Sequence, residues 1–199
     1  MIKSISYDQE EILRWIMQLY VTSGRFDADP TYSIGTLYRS LPKPVYCLDI
    51  KPCKENVIQA DCRALPFADS TLHSIMIDLP FLATTGRSLS KEKGNIINRR
   101  FSVCSSETEL AELYRDAIKE AHRVLKRNGI LVFKCQDKVS SGKQYMMHCF
   151  VYNVAATLGF EALDLFVLLA KNRLVANWQR NQKHARKYHS YFWVFRKKG

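Results

Sequence analysis

The sequence lacks several features that define other classes of protein. It has no apolar run near the roughly 18 residues needed to span a membrane, and no leader-like segment follows its charged start. No low-complexity tract interrupts it, and no repeat of roughly 20–50 residues is visible. We therefore expect residues 1–199 to form a single domain of a soluble, cytoplasmic protein with an ordinary hydrophobic core.

Metal-ligand and disulfide patterns are also absent. The six cysteines are scattered and include no C-x-x-C pair, and the five histidines show no ligand spacing. Several cysteines fall inside apolar runs, where a free thiol behaves as a small hydrophobe. Reduced, buried thiols are expected, and no metal.

Acidic residues are missing from the last part of the chain. None follows Asp164, while basic residues accumulate and raise the net charge to +11. Trp178, Tyr188, Tyr191 and Trp193 lie among these cations, and aromatic rings can stack on bases while cations meet phosphates. This composition favours nucleic acid as the partner over a membrane surface, for which no amphipathic anchor helix is evident.

Three short apolar runs each end on a carboxylate. Residues 45–49 end at Asp49, residues 57–61 at Asp61 and residues 72–78 at Asp78. Such runs are typical of buried strands of a parallel sheet, which binds ligands beyond the carboxyl ends of its strands. One terminal aspartate could be a simple turn former, but three in succession predict a ligand site along one edge of the sheet.

The remaining patterns complete an α/β order. Helices are predicted over residues 5–20 (in an N-terminal segment 1–24), 107–125 (stopped by Asn128-Gly129) and 144–158. A central strand is predicted at 130–133, and antiparallel strands at 163–169 and 191–195 flank a basic segment, 170–190. A basic loop without apolar periodicity covers 82–106. The order predicts a three-layer α/β fold with a mostly parallel seven-stranded sheet and one antiparallel strand near the C-terminus.

The passage from Asp61 to Phe81 carries a family resemblance. Asp61 is followed by Leu65-Pro66-Phe67 and then by Asp78-Leu79-Pro80-Phe81. This arrangement resembles the class I S-adenosylmethionine-dependent methyltransferases with a Rossmann-like fold, and among them the amino-methyltransferases of DNA, whose motif reads D-P-P-Y/F. The resemblance covers nearly the whole chain, from about Phe26 to Phe195.

Two departures from the family pattern are visible. The glycine-rich first loop is replaced by residues 29–35, which hold one glycine, Gly35. Leu79 stands where the first of two prolines is usual. Either change is expected to weaken binding of cofactor or substrate without removing a group that the chemistry requires.

The resemblance implies a role for each part of the predicted edge. Asp49 would accept hydrogen bonds from the ribose hydroxyls of S-adenosylmethionine and Asp61 from its adenine amino group, and residues 29–35 would cradle the methionine portion. Asp78 and the Pro80 carbonyl region would align an exocyclic amino group, and Phe81 would stack on the flipped base. The implied cofactor-binding residues are Asp29, Thr31, Tyr32, Ser33, Gly35, Asp49, Ile50, Asp61, Cys62 and Arg63, and the implied catalytic residues are Asp78, Leu79, Pro80 and Phe81.

Cations near this edge are predicted to track phosphates. The candidates are Arg87, Lys91, Lys93, Arg99, Arg100, Lys171, Arg173, Arg180, Lys183, Arg186 and Lys187. The motif fits N6 of adenine in DNA best, while N4 of cytosine stays open. An RNA base methyltransferase and a non-catalytic nucleic-acid-binding module with a degenerate cofactor loop are the alternatives.

Overall fold

A computed structural model describes residues 1–83, 104–171 and 183–199 of the chain. Within these ranges a central sheet has eight strands: β1 (Ile5–Ser6), β2 (Ala28–Asp29), β3 (Tyr46–Asp49), β4 (Ile58–Gln59), β5 (Leu72–Asp78), β6 (Leu125–Cys135), β9 (Phe160–Leu169) and β10 (His189–Lys197). Their order across the sheet is β1-β9-β10-β6-β5-β2-β3-β4. A separate hairpin joins β7 (Lys138–Ser140) and β8 (Lys143–Tyr145).

Helices cover both faces of this sheet, so the predicted three-layer α/β fold is confirmed. The helices are α1 (Gln9–Tyr20), α2 (Glu107–Val124) and α3 (Met147–Thr157), and a short 3₁₀ turn covers Thr36–Tyr38. None of the helices in the described ranges is long and apolar enough to cross a membrane.

Alternating side chains of the central strands build two separate cores. In β5, Ile75 and Ile77 pack in the core that contains α2 and α3, whereas Met76 packs in the core that contains α1. In β6, Phe133 lies on the α2 side and Val132 on the α1 side. Continuous apolar runs are therefore needed because both faces of these strands are buried.

The C-terminal strand gives the sheet its mixed character. β10 runs antiparallel to both of its neighbours, β6 and β9, as the sequence predicts. β2, β3, β4, β5 and β6 pair in parallel with one another. An eighth strand, β1, pairs in parallel with β9 and was not predicted.

Several predicted boundaries are wrong. The first helix begins at Gln9 and not at residue 5, because Ile5 and Ser6 pair with β9 and Asp8 caps the helix by accepting from the Glu10 amide. The third helix begins at Met147, since Lys143–Tyr145 forms a hairpin strand. Asn128 and Gly129 do not stop α2, which ends at Val124; they lie inside β6, where the pairing with β5 slips.

Candidate active site

The three predicted carboxylates lie at one edge of the sheet. Asp49 and Asp78 are the last residues of β3 and β5, and Asp61 follows β4 by two residues. Because these strands are linked through parallel pairings, their carboxyl ends face the same edge. The amide of Ala60 donates to the carbonyl of Asp49 at 3.0 Å and ties the Asp61 turn to β3.

Asp29 supports the loop that follows β2 from beneath. It is fully buried, and its Oδ1 accepts from the amide and the hydroxyl of Thr31, each at 2.8 Å. Its Oδ2 accepts from Tyr38 Oη at 2.9 Å. Burial raises the pKa of Asp29 to about 7 despite these donors, and the nearby Asp78 adds to the rise.

Thr31 connects this loop to the end of β5. Its hydroxyl donates to Asp29 and at the same time accepts from the amide of Asp78 at 2.8 Å. The loop and the candidate catalytic segment therefore share one oxygen atom. Neither can shift without breaking a hydrogen bond to the other.

The same loop is also attached to the end of β3. The amide of Ser33 donates to Asp49 Oδ2 at 2.8 Å, and the amide of Tyr32 donates to the carbonyl of Leu48 at 3.0 Å. Lys51 donates its amide to Asp49 Oδ1 at 2.8 Å. Each oxygen of Asp49 thus accepts one backbone hydrogen bond, which leaves further lone pairs on a half-buried carboxylate.

Gly35 is required where the loop turns back. It has φ +76°, and a Cβ there would lie 2.6 Å from Cζ of the Tyr32 ring. Tyr32 stacks on Tyr38 with ring centroids 5.8 Å apart. Gly35 therefore lets the Tyr32 ring pack beneath the loop. This position needs glycine both for its positive φ and for its lack of a side chain.

Lys134 forms an ion pair with Asp78 at the same edge. Its Nζ donates to Asp78 Oδ2 at 3.0 Å and to Gln9 Oε1 of α1 at 2.8 Å. The side chains of Lys134 and Asp78 are 11% and 17% exposed, so the pair is largely shielded from water. Lys134 stands opposite Asp78 in the pairing of β6 with β5.

Aromatic rings surround the Lys134 ammonium. Its Nζ lies 5.5 Å from the ring centroids of both Phe81 and Phe192, a distance at which a cation is attracted to a ring face. On the other side of the strand end, Tyr114 Oη donates to the carbonyl of Pro80 at 2.9 Å, and Leu79 is buried. The 78–81 segment is thus fixed from both layers of helices.

The Asp61 turn carries its own cation. Arg63 binds both carboxylate oxygens of Asp61, with the shortest distance 2.6 Å from Nη2 to Oδ2, and lowers the pKa of that carboxyl. The side chains are 48% and 30% exposed, so the pair can open at small cost. Ile50 is exposed beside this turn, whereas Cys62 is buried.

A clamp from α2 holds the segment that follows this turn. Glu120 Oε1 accepts from the amide of Leu65 at 2.6 Å and from Arg123 Nη2 at 2.6 Å. Arg123 also donates to the carbonyls of Leu65 and Phe67. These contacts hold the Leu65-Pro66-Phe67 passage against α2.

The basic segments leave the sheet at the same edge. His189 pairs with Leu169, and Tyr191 pairs with Cys135 at the end of β6, so the ends of the chain section between β9 and β10 lie on the side of Asp78. Lys171 is exposed there with its Nζ 5.8 Å from the Tyr7 ring centroid, and Lys183 is exposed; Arg186 and Lys187 are half-buried. The other predicted cations, Arg87, Lys91, Lys93, Arg99, Arg100, Arg173 and Arg180, lie outside the described residues.

Four residues of this site were not predicted from the sequence. Lys134, Gln9, Tyr114 and Phe192 come from β6, α1, α2 and β10 and meet the 78–81 segment only through the fold. The one available signal was Lys134, a lone cation within the apolar run of β6. Among the described residues, no group of three or more His, Cys, Asp or Glu side chains could hold a metal ion.

The fold is a Rossmann-like α/β fold of the kind that methyltransferases have. The chain is similar to a protein of Galdieria sulphuraria provisionally named a sarcosine dimethylglycine methyltransferase, with 14% identity, TM-score 0.56, and coverage of 95% of this chain and 85% of that one. TrmN from Thermus thermophilus is 14% identical with TM-score 0.50, over 94% of this chain and 48% of that one.

A third similar structure is a provisionally named DNA modification methylase, also from Thermus thermophilus, crystallised with S-adenosyl-L-methionine. It is 20% identical, with TM-score 0.47, over 70% of this chain and 54% of that one, so the chain spans about half its length. No protein-family model matches the sequence, and no curated protein matches it. At these identities the likeness shows the fold.

Proposed function

We propose that the chain is an S-adenosylmethionine-dependent methyltransferase that acts on an exocyclic amino group of a nucleic-acid base, with N6 of adenine in DNA as the favoured target. The observation that carries this proposal is the shared anchoring of two parts. The loop beside Asp49 and the Asp78 segment are joined through the Thr31 hydroxyl. A methyl donor and its acceptor must be held in line, and such a joint fixes one relative to the other.

The residues around Asp49 fit the cofactor. Its two oxygens each accept one backbone hydrogen bond and keep acceptor capacity for the two ribose hydroxyls. Asp61 can accept from an adenine amino group once Arg63 moves aside, and exposed Ile50 offers an apolar contact. When bound, the cofactor supplies a methyl group already activated on a sulfonium.

We assign Asp29 a supporting role within the cofactor loop. Both of its oxygens are engaged by Thr31 and Tyr38, and it is fully buried. Contact with the methionine portion then falls to the loop itself, through the backbone of Thr31, Ser33 and Gly35 and the side chain of Ser33, with Tyr32 packed beneath.

Asp78 is the proposed catalytic residue. Its carboxylate would accept a hydrogen bond from the target amino group, point the nitrogen lone pair towards the methyl and stabilise the positive charge that develops on that nitrogen. The Pro80 carbonyl oxygen already accepts a hydrogen bond from Tyr114 Oη. The second lone pair of that oxygen would accept from the target amino group. Phe81 would stack on the base, with Lys134 holding both Asp78 and the ring in place.

The charge at this edge supports a nucleic-acid substrate. Lys171 is exposed two residues after β9, Lys183 is exposed in the segment that leads into β10, and these ends of the two strands lie at the same edge of the sheet as Asp78. Such cations bind phosphates with little regard for sequence. DNA is favoured over RNA because the 78–81 motif resembles that of the DNA amino-methyltransferases, although its chemistry would be the same on either polymer.

An assay that follows the tritium-labelled methyl group from S-adenosylmethionine to DNA tests the proposal. We expect Asp78→Ala and Asp78→Asn to lower the rate at least about 100-fold, with little change in the heat of binding of S-adenosylhomocysteine. Glu161→Gln is the matched control, since Glu161 is an ion-paired carboxylate at the opposite end of β9. Labelling that survives Asp78→Ala would remove this residue from the mechanism.

The same assay separates the alternatives. Equal amounts of DNA and RNA are offered side by side, and faster labelling of RNA would establish an RNA base methyltransferase. Absence of heat on titration with S-adenosylhomocysteine, together with retained DNA binding, would establish a non-catalytic module. Digestion of labelled DNA to nucleosides distinguishes N6-methyladenine from N4-methylcytosine.

A further inference from the structure

A cluster of three polar side chains, none of which belongs to the proposed methyl-transfer site, lies just beyond the end of β6. Asp137 follows the strand, and His148 and Cys149 occupy the first turn of α3. His148 Nδ1 lies 2.8 Å from both carboxylate oxygens of Asp137. Cys149 Sγ lies 3.3 Å from His148 Nε2. Thiol, imidazole and carboxylate therefore stand in a row.

The contacts fix the tautomer of the histidine. A carboxylate can only accept hydrogen bonds, so Nδ1, which faces Asp137, must carry a hydrogen. In the neutral ring this leaves Nε2 as an acceptor aimed at the thiol of Cys149. The same logic of nucleophile, base and orienting acid operates in hydrolytic triads on unrelated folds.

The arrangement is held rigidly from several sides. Asp137 is 3% exposed and also accepts from the amide of His148 and from Tyr191 Oη, at 3.2 and 3.4 Å. The His148 ring stacks on Tyr191 with centroids 4.6 Å apart. The carbonyl of His148 accepts from Trp193 Nε1 at 3.0 Å. The imidazole is thus positioned before any reagent arrives.

Cys149 itself is accessible and favourably placed. It is exposed, in contrast to Cys47, Cys62, Cys104 and Cys135, which are buried. It is the third residue of α3, in the first turn, where the helix dipole favours negative charge on a thiolate. The neighbouring histidine, the helix dipole and the exposure of Cys149 all favour reaction of its thiolate.

We propose that Cys149 is an activated thiol that undergoes exchange with low-molecular-weight disulfides, with His148 as its base and Asp137 as the residue that positions the base. His148 Nε2 takes the proton of the thiol, and the Sγ electron pair attacks one sulfur of the disulfide. The S–S bond breaks, and the departing sulfur leaves with the bonding pair and receives the proton from His148. Cys149 is oxidised to a mixed disulfide, and the disulfide is reduced to one free thiol.

A disulfide is favoured over an acyl substrate because of what the reaction needs. Exchange needs only a thiolate, a proton acceptor and open access, all of which this cluster offers. Acyl transfer would also need donors that stabilise an oxyanion. The inference does not depend on the proposed methyl transfer, because none of its three residues belongs to that site.

Two neighbouring titratable groups, Tyr191 and Cys135, stay protonated near neutral pH. Burial, together with Asp137, raises the pKa of Tyr191 to about 12, so its hydroxyl remains a donor. Burial raises the pKa of Cys135 well above its usual value, so that thiol stays protonated. His189 is the third titratable neighbour, and its ring centroid lies 5.1 Å from that of Tyr191 in an edge contact.

The other exposed cysteine provides an internal control. Cys53 contacts the Lys51 carbonyl and has no histidine partner among its hydrogen bonds in the described part of the chain. We would compare Cys53→Ser, which keeps Cys149, with Cys149→Ser, which keeps Cys53. The probe is an aromatic disulfide that releases a coloured thiolate, and oxidised glutathione followed by mass spectrometry identifies the adduct.

At pH 6 we expect Cys149 to react at least about tenfold faster than Cys53, because His148 can take the proton of the Cys149 thiol, whereas Cys53 contacts only a backbone carbonyl. His148→Asn should remove this advantage, Asp137→Asn should reduce it, and His73→Asn, a surface histidine elsewhere, should leave it unchanged. Equal rates for the two cysteines, or no effect of His148→Asn, would overturn the proposal.

Peptide mapping of the unmodified sequence keeps the test valid if a variant does not fold. Cys149 and Cys53 then compete for a limiting amount of the same disulfide within one molecule. The ratio of label on Cys149 to label on Cys53 should rise as the pH falls from about 8 to about 6. A constant or falling ratio would contradict the inference.

Discussion

At the scale of single residues, Lys134 is the group on which the candidate site depends most. It neutralises Asp78, binds Gln9 and lies against Phe81 and Phe192. Its position follows from strand pairing, since β6 places it opposite Asp78. One buried cation therefore orients both the proposed acceptor of the amino group and the ring proposed to stack on the base.

Lys134→Met should slow methyl transfer about 10- to 100-fold while leaving S-adenosylhomocysteine binding within a few-fold. The apolar chain fills the space between the two rings, but Asp78 loses its partner, and stability falls by about 1–3 kcal/mol. Tritium transfer and denaturant unfolding measure the two effects. Lys126→Met, the same change at the opposite end of β6, is the control, and an equal loss there would contradict this assignment.

Asp29 gives the fold a specific dependence on pH. Its pKa rises from 3.8 to about 7 because the carboxyl is fully buried. Between these pH values the folded chain holds a proton on Asp29 that the unfolded chain releases. The protonation of Asp29 therefore contributes fully to the free energy of unfolding below about pH 4, and this contribution is lost as the pH rises through about 7.

Asp29→Asn should therefore reduce the pH dependence of unfolding. We expect the difference in unfolding free energy between variant and parent to change by up to a few kcal/mol between about pH 4.5 and 7.5, in favour of the variant at the higher pH. Urea unfolding at both pH values measures it. Asp69→Asn, an exposed carboxylate, should show a far smaller change, and parallel curves for Asp29→Asn and its parent would contradict the prediction.

At the scale of elements, the loop after β2 is held mainly by side-chain contacts and has one position, Gly35, that requires glycine. The side chains of Asp29, Thr31 and Tyr38 hold the loop. Within the described loop, Gly35 combines a left-handed backbone conformation with no room for a Cβ. Polar side-chain contacts take over part of the shaping that additional glycines would provide.

Gly35→Ala tests this account against Gly24→Ala. Both glycines have positive φ, +76° and +71°, but a Cβ at Gly35 meets the Tyr32 ring, while a Cβ at Gly24 meets nothing within 4 Å. We expect Gly24→Ala to destabilise by about 1 kcal/mol and Gly35→Ala by about 1–3 kcal/mol more. Chemical unfolding measures both, and equal losses would show that the contact with Tyr32 is not limiting.

The sequence predicts elements better than it predicts their ends. β5 is predicted over its full length because an apolar run stops at a carboxylate, and the pairing of β9 with β10 is predicted from two apolar runs around a basic segment. β1 is missed because its two residues acquire strand structure only by pairing with β9, a partner far along the chain. Asn128-Gly129 carries the signal of a helix stop, yet sheet pairing places it in β6.

The candidate site follows the same division. Aspartates at strand ends are visible in the sequence, because each comes directly after an apolar run. Lys134, Gln9 and Tyr114 are not, because they reach the 78–81 segment from three elements whose mutual placement depends on the layers of the fold. The roles of the predicted residues remain predictions that the assays above address.

At the scale of the whole molecule, exposed cations and the proposed catalytic residues share one edge of the sheet. β5 and β6 end there, and the section between β9 and β10 both leaves and returns there. On the proposed function, an anionic polymer bound by the cations of this section would lie along the edge of the sheet that also carries Asp78. The opposite edge carries Glu161 paired with Arg196.

Lys171→Ala combined with Lys183→Ala should weaken DNA binding and reduce the slope of log affinity against log salt by about two, because each lysine at a phosphate releases about one counterion. Fluorescence anisotropy over a range of salt concentrations measures the slope. Lys119→Ala with Lys198→Ala removes two exposed cations away from this edge and should leave it unchanged. Equal slopes for the two double variants would place the binding surface elsewhere.

The Thr31 hydroxyl has one more consequence. The amide hydrogen of Asp78 points at that oxygen, so its exchange with solvent deuterium is governed by whether the loop stays seated. This single backbone amide therefore reports whether the loop after β2 keeps its contact with the end of β5, and magnetic resonance can read it before any turnover has taken place.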